Sequence, residues 1–352
     1  MSPSYSKLAD LLDQIPNGFP RTESGVELKI LAKLFSPDDA ELAGHLSREP
    51  ETTASIAQRL RLNEKETLSS LIGMVKRGLI GMKRERGGMS FYLIPFVVGF
   101  YELQNASIDK EFAELFEKYY KEAFHKMTMI KPSVHRIIPV EKTIPLGIDV
   151  MPYEKASTYI ENARSWGVLN CICRVQKKLI GEGCSHSIEN CIVISAKENA
   201  YSKSDSIRTL TKEEALGILT KCNEEGLVHS TSNVQTEVTY ICNCCTCSCG
   251  ILRSIQEYGN KNSVAGSDFF AVVNDELCNG CALCEGRCQF NAIQINDGLS
   301  NITKTLCMGC GLCITTCSEN AISLKQKVAP DLIPPPVSES DWKIERMNAR
   351  IS

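Results

Sequence analysis

Residues 278–293 read CNGCALCEGRCQFNAI, and residues 307–322 read CMGCGLCITTCSENAI. The first stretch holds Cys278, Cys281, Cys284 and Cys288. The second holds Cys307, Cys310, Cys313 and Cys317, each 29 residues after its counterpart. Eight matched positions make an internal repeat. The spacing C-x2-C-x2-C-x3-C lets three thiolates on a tight loop hold three corners of an iron–sulfur cube, while the fourth corner comes from the other copy. On this crossed rule one [4Fe-4S] cluster takes Cys278, Cys281, Cys284 and Cys317, and the other takes Cys307, Cys310, Cys313 and Cys288. A zinc ribbon would need paired C-x2-C knuckles instead of triples with a distant fourth.

This segment, about the last fifth of the chain, resembles the bacterial-type two-cluster ferredoxin. The resemblance implies a small α+β fold in which a short helix and a strand follow each cluster loop. The family usually has Pro after the fourth cysteine; here the positions hold Gln289 and Ser318. No ligand is lost. The backbone gains an N–H and loses a fixed φ, which alters the hydrogen bonding available to sulfur and hence the potential.

A chain of 352 residues has room for two or three domains with buried cores. Its net charge of −3 argues against nucleic acid or an anionic membrane as a partner of the whole molecule. The opening MSPSYSKLADLLDQI lacks the basic start and long apolar run of a signal peptide. The longest apolar stretch, FYLIPFVVGF from Phe91 to Phe100, is half of the roughly 20 residues a spanning helix needs. A soluble cytoplasmic protein without a membrane span is the expectation. In that compartment eighteen cysteines point to thiolate ligands, not disulfides. Their density points to an anaerobe, because oxygen damages exposed thiolates and clusters.

Toward the N-terminus, helical patterns run over Ser6–Ile15 and Val26–Phe35. Ser36-Pro37-Asp38-Asp39 is an N-cap with Pro in the first turn, opening a helix through Leu46. A short helix at Thr53–Leu60 and a longer one at Glu64–Arg77 follow, the latter stopped by Gly78. Two strand-like runs between Met82 and Pro95 flank Gly87-Gly88, a hairpin signal. This order resembles the winged helix-turn-helix domain over about residues 20–98. Such a domain reads bases with the start of its second helix. Here that start carries Glu64 and Glu66 beside Lys65, and carboxylates repel phosphates. The wing is more basic, with Lys76, Arg77, Lys83, Arg84 and Arg86 against Glu85. Residues 1–100 hold 13 basic and 12 acidic side chains, which is no electrostatic footprint for DNA. Protein docking or homodimerisation is the preferred use and DNA binding the lesser one. Residues 100–130 read as one amphipathic linking helix with an aromatic stripe of Phe112, Leu115, Phe116, Tyr119, Tyr120 and Phe124, a pattern of core or dimer seam.

The middle of the chain carries nine more cysteines in two runs: Cys171, Cys173, Cys184 and Cys191, then Cys242, Cys244, Cys245, Cys247 and Cys249. Thiolates at this density select iron–sulfur, zinc or copper(I). Strands are expected over Ile137–Ile144, Val168–Cys173, Cys191–Ser195 and Thr236–Cys242, and helices over Pro152–Ser165 and Thr211–Glu225. Strand alternation would hold Cys171 and Cys173 about 7 Å apart, too far for two corners of one cluster. The chain must therefore turn there, or the two thiols serve different metals. The simplest reading gives one [4Fe-4S] site to Cys171, Cys173, Cys184 and Cys191 and a second metal site to the 242–249 run; a site drawing on both runs is the alternative, and zinc the alternative metal. His186 and His229 read first as satisfied polar residues and second as ligands. Cys222, alone in a predicted helix, reads as a small buried hydrophobe. Arg174 and Lys221 are either charges that raise a cluster's potential or solvated surface groups. The pairing of C-x-C-R with a later C-N-C-C-x-C is similar to a group of 4Fe-4S-binding proteins of anaerobic bacteria and archaea over residues 167–325. That likeness implies electron transfer in anaerobic metabolism and names no substrate. The group often has three cysteines where this chain has Cys247-Ser248-Cys249.

The expected architecture is α+β and multidomain: a winged helix-turn-helix domain (1–100), the linking helix (101–130), a mixed α/β cysteine-rich metal-binding domain (131–265), a ferredoxin-like 2[4Fe-4S] domain (266–327) and a proline-rich tail (328–352). In the tail, Trp342, Ile344 and Met347 would anchor a short helix on the same molecule or on a partner. Neither a dinucleotide fingerprint nor a phosphate loop is present. The expected function is an iron–sulfur electron-transfer protein serving an anaerobic oxidoreductase partner at low potential, a subunit more than a stand-alone enzyme. The rivals are a redox-sensing DNA-binding regulator and an Fe–S enzyme whose middle cluster is open to substrate.

Overall fold

The structure, a computed structural model, describes residues 2–85, 88–145, 147, 150–202, 204 and 206–351. The chain divides into two compact units, Met1–Met127 with Val175–Glu182, and Thr128–Arg174 with Gly183–Ser352.

The first unit contains α1 (Pro3–Asp13), α2 (Val26–Leu34), α3 (Pro37–Ala43), β1 (Glu51–Thr52), α4 (Thr53–Leu60), α5 (Glu64–Lys76), β2 (Gly81–Glu85) and β3 (Gly88–Tyr92). The strands form one antiparallel sheet in the order β1-β3-β2. Each middle helix begins where its cap residue dictates. The Ser36 side chain accepts from the Asp39 N–H while the Asp39 carboxylate accepts from that of Ser36, a reciprocal box that satisfies two otherwise unpaired donors. Thr52 and Asn63 cap α4 and α5 one way, their side chains accepting from the N–H groups of Ser55 and Glu66. Gly87, half of the expected hairpin signal, and Arg86 of the expected basic wing lie outside the described residues.

The helix expected over 100–130 starts late. Asp109 accepts from the Phe112 N–H at 2.8 Å, so α6 spans Lys110–Tyr119 and continues through a π turn (Tyr120–Phe124) into α7 (His125–Met127). Before it, Glu102–Gln104 makes only a 3-10 turn. The aromatic stripe is buried within its own unit: Phe112, Phe116, Tyr119, Tyr120 and Phe124 are in the core, and Phe116 stacks on Tyr101 with ring centroids 3.9 Å apart.

The second unit is built on a seven-stranded sheet. Its elements in chain order are β4 (His135–Ile137), α8 (Ala156–Asn162), β5 (Ser165–Asn170), α9 (Ile172–Leu179, whose later part belongs to the first unit), β6 (Glu189–Ser195), β7 (Arg208–Leu210), α10 (Lys212–Glu225), β8 (Val228–Ser232), β9 (Tyr240–Cys244), α11 (Arg253–Tyr258) and β10 (Val264–Ala265). The order is β10-β4-β8-β9-β6-β5-β7, with only the β10–β4 pair parallel. Ile160 of α8 and Ala215 and Leu219 of α10 pack on Val168, Ile192, Ile194 and Ile241 of the sheet. α10 follows its signals closely, with a Thr211–Glu214 capping box and Gly226 closing it at φ 81°.

Four expectations shift. The strand expected over 137–144 ends at Ile137, just before Pro139, and Glu141–Thr143 forms a 3-10 turn. The helix expected over 152–165 is a 3-10 turn at Pro152–Glu154 followed by α8, because Ser165 already pairs with Ser195 in the sheet. The strand expected over 168–173 stops at Asn170, and Cys173 lies in the first turn of α9. The strand expected over 236–242 forms two to four residues later, as β9. Strands β7 and β8 were not anticipated.

The cysteine repeat closes the unit. It comprises β11 (Phe269–Val273), α12 (Leu283–Arg287), β12 (Ile293–Asn296), β13 (Leu299–Ile302), a 3-10 turn (Ile314–Thr316) and β14 (Ile322–Gln326). β11 pairs antiparallel with β14, and β12 with β13. The tail then returns along the same unit. Gln235 and Thr236 N–H donate to Pro336 O and Val337 O, and α13 (Glu339–Ile351) buries Trp342, whose Nε1 donates to Ser133 O at 2.9 Å. Ile344 points to solvent. Among the described residues no helix is long and apolar enough to cross a membrane.

Candidate metal centres

The eight cysteines of the repeat line two cavities. One, of about 330 Å³, is bounded by Cys278, Cys281, Cys284 and Cys317 with Leu283, Ile295, Ala321 and Ile322. The other, of about 350 Å³, is bounded by Cys307, Cys310, Cys313 and Cys288 with Phe290, Ile302, Met308 and Leu312. Each cavity gathers three thiols from one loop and the fourth from the other copy. Four soft donors around an apolar hollow are the donor set an iron–sulfur cube requires.

Backbone donors reproduce the 29-residue repeat. Ala292 N–H donates to Cys288 Sγ at 3.4 Å and Ala321 N–H to Cys317 Sγ at 3.3 Å. Ser300 N–H reaches Cys278 Sγ and Ala271 N–H reaches Cys307 Sγ, both at 3.4 Å. Such bonds disperse thiolate charge and so raise the potential of whatever the sulfur ligates. The loops also need matched glycines. Gly280 and Gly309 have φ of 68° and 69°, and a Cβ on either would lie 2.2 Å from a carbonyl oxygen, that of Gly298 or Phe269.

The two cavities differ in exposure. Cys281 is exposed, whereas burial pushes the Cys310 thiol up to about 12 and raises Cys313 and Cys288 as well. Metal binding there must therefore release protons from buried thiols.

Six of the middle cysteines form a ring. Cys171 contacts Cys173 and Cys191; Cys173 contacts Cys249; Cys242 contacts Cys191 and Cys244; and Cys244 contacts Cys249. The turn from β5 into α9 lets Cys171 and Cys173 meet, which a continuous strand would forbid. Donation from Cys173 and Cys191 pulls the Cys171 thiol well below its ordinary value. Donation from Cys242 and Cys249 brings Cys244 to about 7 despite burial. Arg174 supplies the counter-charge. It is 3% exposed and donates to Asn190 Oδ1 at 2.9 Å, Asn243 O at 2.9 Å and Ser187 O at 3.2 Å. Burial opposes its charge, but the sulfurs of Cys171, Cys245 and Cys244 outweigh that and raise its pKa. The surface reading of Arg174 is corrected; Lys221 is the exposed one.

The remaining three thiols stand apart from the ring. Cys184, Cys245 and Cys247 gather with His186, their ligand atoms all within 4.8 Å of one another. The grouping expected from chain order, with Cys184 beside Cys171, Cys173 and Cys191, gives way to one in which both groups draw on both runs. Cys245 is pulled down to about 5, first by donation from Cys247, and Arg174 helps against burial. His229 belongs to neither group. Its Nδ1 and Nε2 face the Oδ1 atoms of Asn243 and Asn223, each at 2.5 Å, and burial lowers its pKa to about 4. Cys222 is a buried hydrophobe, its thiol pushed up to about 12 by burial.

The repeat is joined to this region through Arg287 and Gln289. Arg287 Nη2 donates to Asn223 O and Glu224 O, the last carbonyls of α10, where a cation also meets the helix dipole. Gln289 Nε2 donates to Gly226 O at 3.1 Å. Cys288 and Cys310 pack into the same apolar cluster as Cys242, Cys244 and Cys249, together with Phe290, Met308 and Leu312.

Residues 271–294 match the family described as 4Fe-4S binding domain. That span covers the first cysteine loop, and the chain thus carries a 4Fe-4S binding domain near its C-terminus. No match to the chain was found among curated proteins or among solved structures.

Proposed function

We propose that the protein relays single electrons between a redox partner and a buried polynuclear iron–sulfur centre, through two crossed [4Fe-4S] sites. A cube held by four thiolates has no open position, and it supplies one-electron chemistry without binding substrate. The observation that carries this reading is the shared core. Cys288 and Cys310 of the second cavity lie in one apolar cluster with Cys242, Cys244 and Cys249 of the six-thiol ring. Cys284 and Cys313 bring the two cavities into a second common cluster. The sulfurs thus trace a path from solvent, at Cys281, to the ring.

The residues around Cys281 support docking at that end. Leu277 and Leu283 are 49% and 55% exposed, amid the exposed carboxylates of Asp275, Glu276, Glu285, Asp297 and Glu319. An apolar patch within a ring of negative charge suits a basic face on a reductase or acceptor, and makes association depend on salt. At the other end Arg174 offsets ring charge and favours the reduced, more negative state. In the first unit, the order of capped helices and the small sheet supports the winged-helix likeness. Glu64 and Glu66 on the exposed start of α5 favour protein docking over DNA. We place the protein in anaerobic metabolism on the density of thiols.

Metal analysis with reduction tests the reading. After oxygen-free purification the chain is expected to hold about eight irons with matching sulfide in the repeat and about four more in the ring, about twelve in all. Dithionite should bleach it and produce EPR signals, and a basic ferredoxin reductase should reduce it more slowly as salt rises. A chain with fewer than four irons and no reducible chromophore overturns the proposal.

A further inference from the structure

We propose that Cys184, His186, Cys245 and Cys247 hold one mononuclear zinc ion, separate from every iron–sulfur site. The spacing of the ligand atoms carries the assignment. Cys184 Sγ and Cys245 Sγ are 3.9 Å apart, and Cys247 Sγ and His186 Nδ1 are 3.9 Å apart. A tetrahedral ion with metal–sulfur bonds of about 2.3 Å sets its thiolates about 3.8 Å apart. All four atoms fall within 4.8 Å of one another, so a single ion can reach them all.

The donor set agrees with the spacing. Three thiolates and one imidazole are a structural zinc set, and four protein ligands leave no position for substrate. The ligands arrive as two short pairs, Cys184-x-His186 from the loop between α9 and β6 and Cys245-x-Cys247 from the turn after β9. Neighbouring groups fit a bound ion of net charge −1. Ser248 Oγ lies 3.5 Å from Cys184 Sγ, where its hydroxyl would donate to a metal-bound thiolate, and the guanidinium of Arg174 faces Cys245. The ion would tie the loop that supplies Ser187 O to Arg174 to the turn that follows β9, the strand that supplies Asn243 O. Its role is to frame the six-thiol ring without carrying electrons.

The test uses the full chain, produced without oxygen with both iron and zinc supplied. Elemental analysis should find about one zinc per chain beside the iron, and zinc-edge X-ray absorption should give three sulfur neighbours and one nitrogen. In the double variant His186→Ala/Cys247→Ser zinc should fall at least fivefold while iron stays within a tenth of the parent. Absence of zinc from the parent overturns the proposal, as does a shell other than three sulfurs and one nitrogen. So does iron that falls in step with the variant. The absorption measurement on the parent decides the matter even if the variant fails to fold.

Discussion

Gln289 Oε1 accepts hydrogen bonds from both the N–H and the Oγ1 of Thr246, at 3.1 and 2.9 Å. Gln289 occupies the position after the fourth cysteine of the first loop, where two-cluster ferredoxins usually carry proline. A proline there could make neither these bonds nor the one to Gly226 O. The glutamine fixes Cys288 against the turn that follows Cys245. Replacing it with Ala should cost about 1–3 kcal/mol, since Thr246 loses its acceptor in a part-buried place. Iron content should hold, while electron transfer between the repeat and the ring slows. Calorimetry and rapid-mixing kinetics on Gln289→Ala check this; an unchanged transfer rate would detach the interface from the function.

Gly309 should tolerate no side chain. Its φ of 69° and the 2.2 Å separation of a built Cβ from Phe269 O demand backbone movement in the loop that presents Cys307 and Cys310. Gly309→Ala is expected to destabilise by about 3 kcal/mol or more and to halve the iron of the repeat. Gly280→Ala should do the same to the first loop. Gly286→Ala is the control, because a Cβ there meets nothing within 4 Å. Thermal unfolding and iron content of the three variants decide the point.

His135 gives the fold a dependence on mild acid. The ring is buried, neither nitrogen has a hydrogen-bond partner among the described residues, and burial lowers its pKa to about 4. The groups packed near it include the Tyr240 ring at 5.4 Å. Between the ordinary histidine value and 4 the unfolded chain binds a proton that the native chain refuses, so stability falls as pH drops. From pH 7 to 5.5 the loss should be about 1 kcal/mol from this residue. In His135→Phe that part of the slope should vanish, and stability at pH 7 should hold or rise because no polar ring is left unpaired. Denaturant unfolding at both pH values measures it, and an identical slope in the variant would contradict the assignment.

Much of the repeat was legible because local spacing fixes it: two matched loops, each with three close cysteines, and a fourth cysteine that lines the cavity of the other copy. Capped helices were equally legible, since Ser36, Asn63 and Thr211 each act within three residues. The middle centres were not. Cys184 meets Cys245 across 61 residues only because β6 lies beside β9 in the sheet, and sheet order is not written in any local pattern. The burial of Arg174 was hidden for the same reason. Its partners come from Ser187, Asn190 and Asn243, three points that the fold alone brings together. His186 reads first as a satisfied polar residue because a histidine two residues from a cysteine carries no spacing signal until the fold brings Cys245 and Cys247 beside it.

The most direct test of the central claim is iron content in two double variants, Cys281→Ser/Cys317→Ser and Cys310→Ser/Cys317→Ser. With crossed ligation, Cys281 and Cys317 serve one cube, so the first variant should lose about four irons; Cys310 and Cys317 serve different cubes, so the second should lose about eight. The reverse pattern, about eight lost in the first and four in the second, would mean that each loop keeps its own fourth cysteine and would contradict the account.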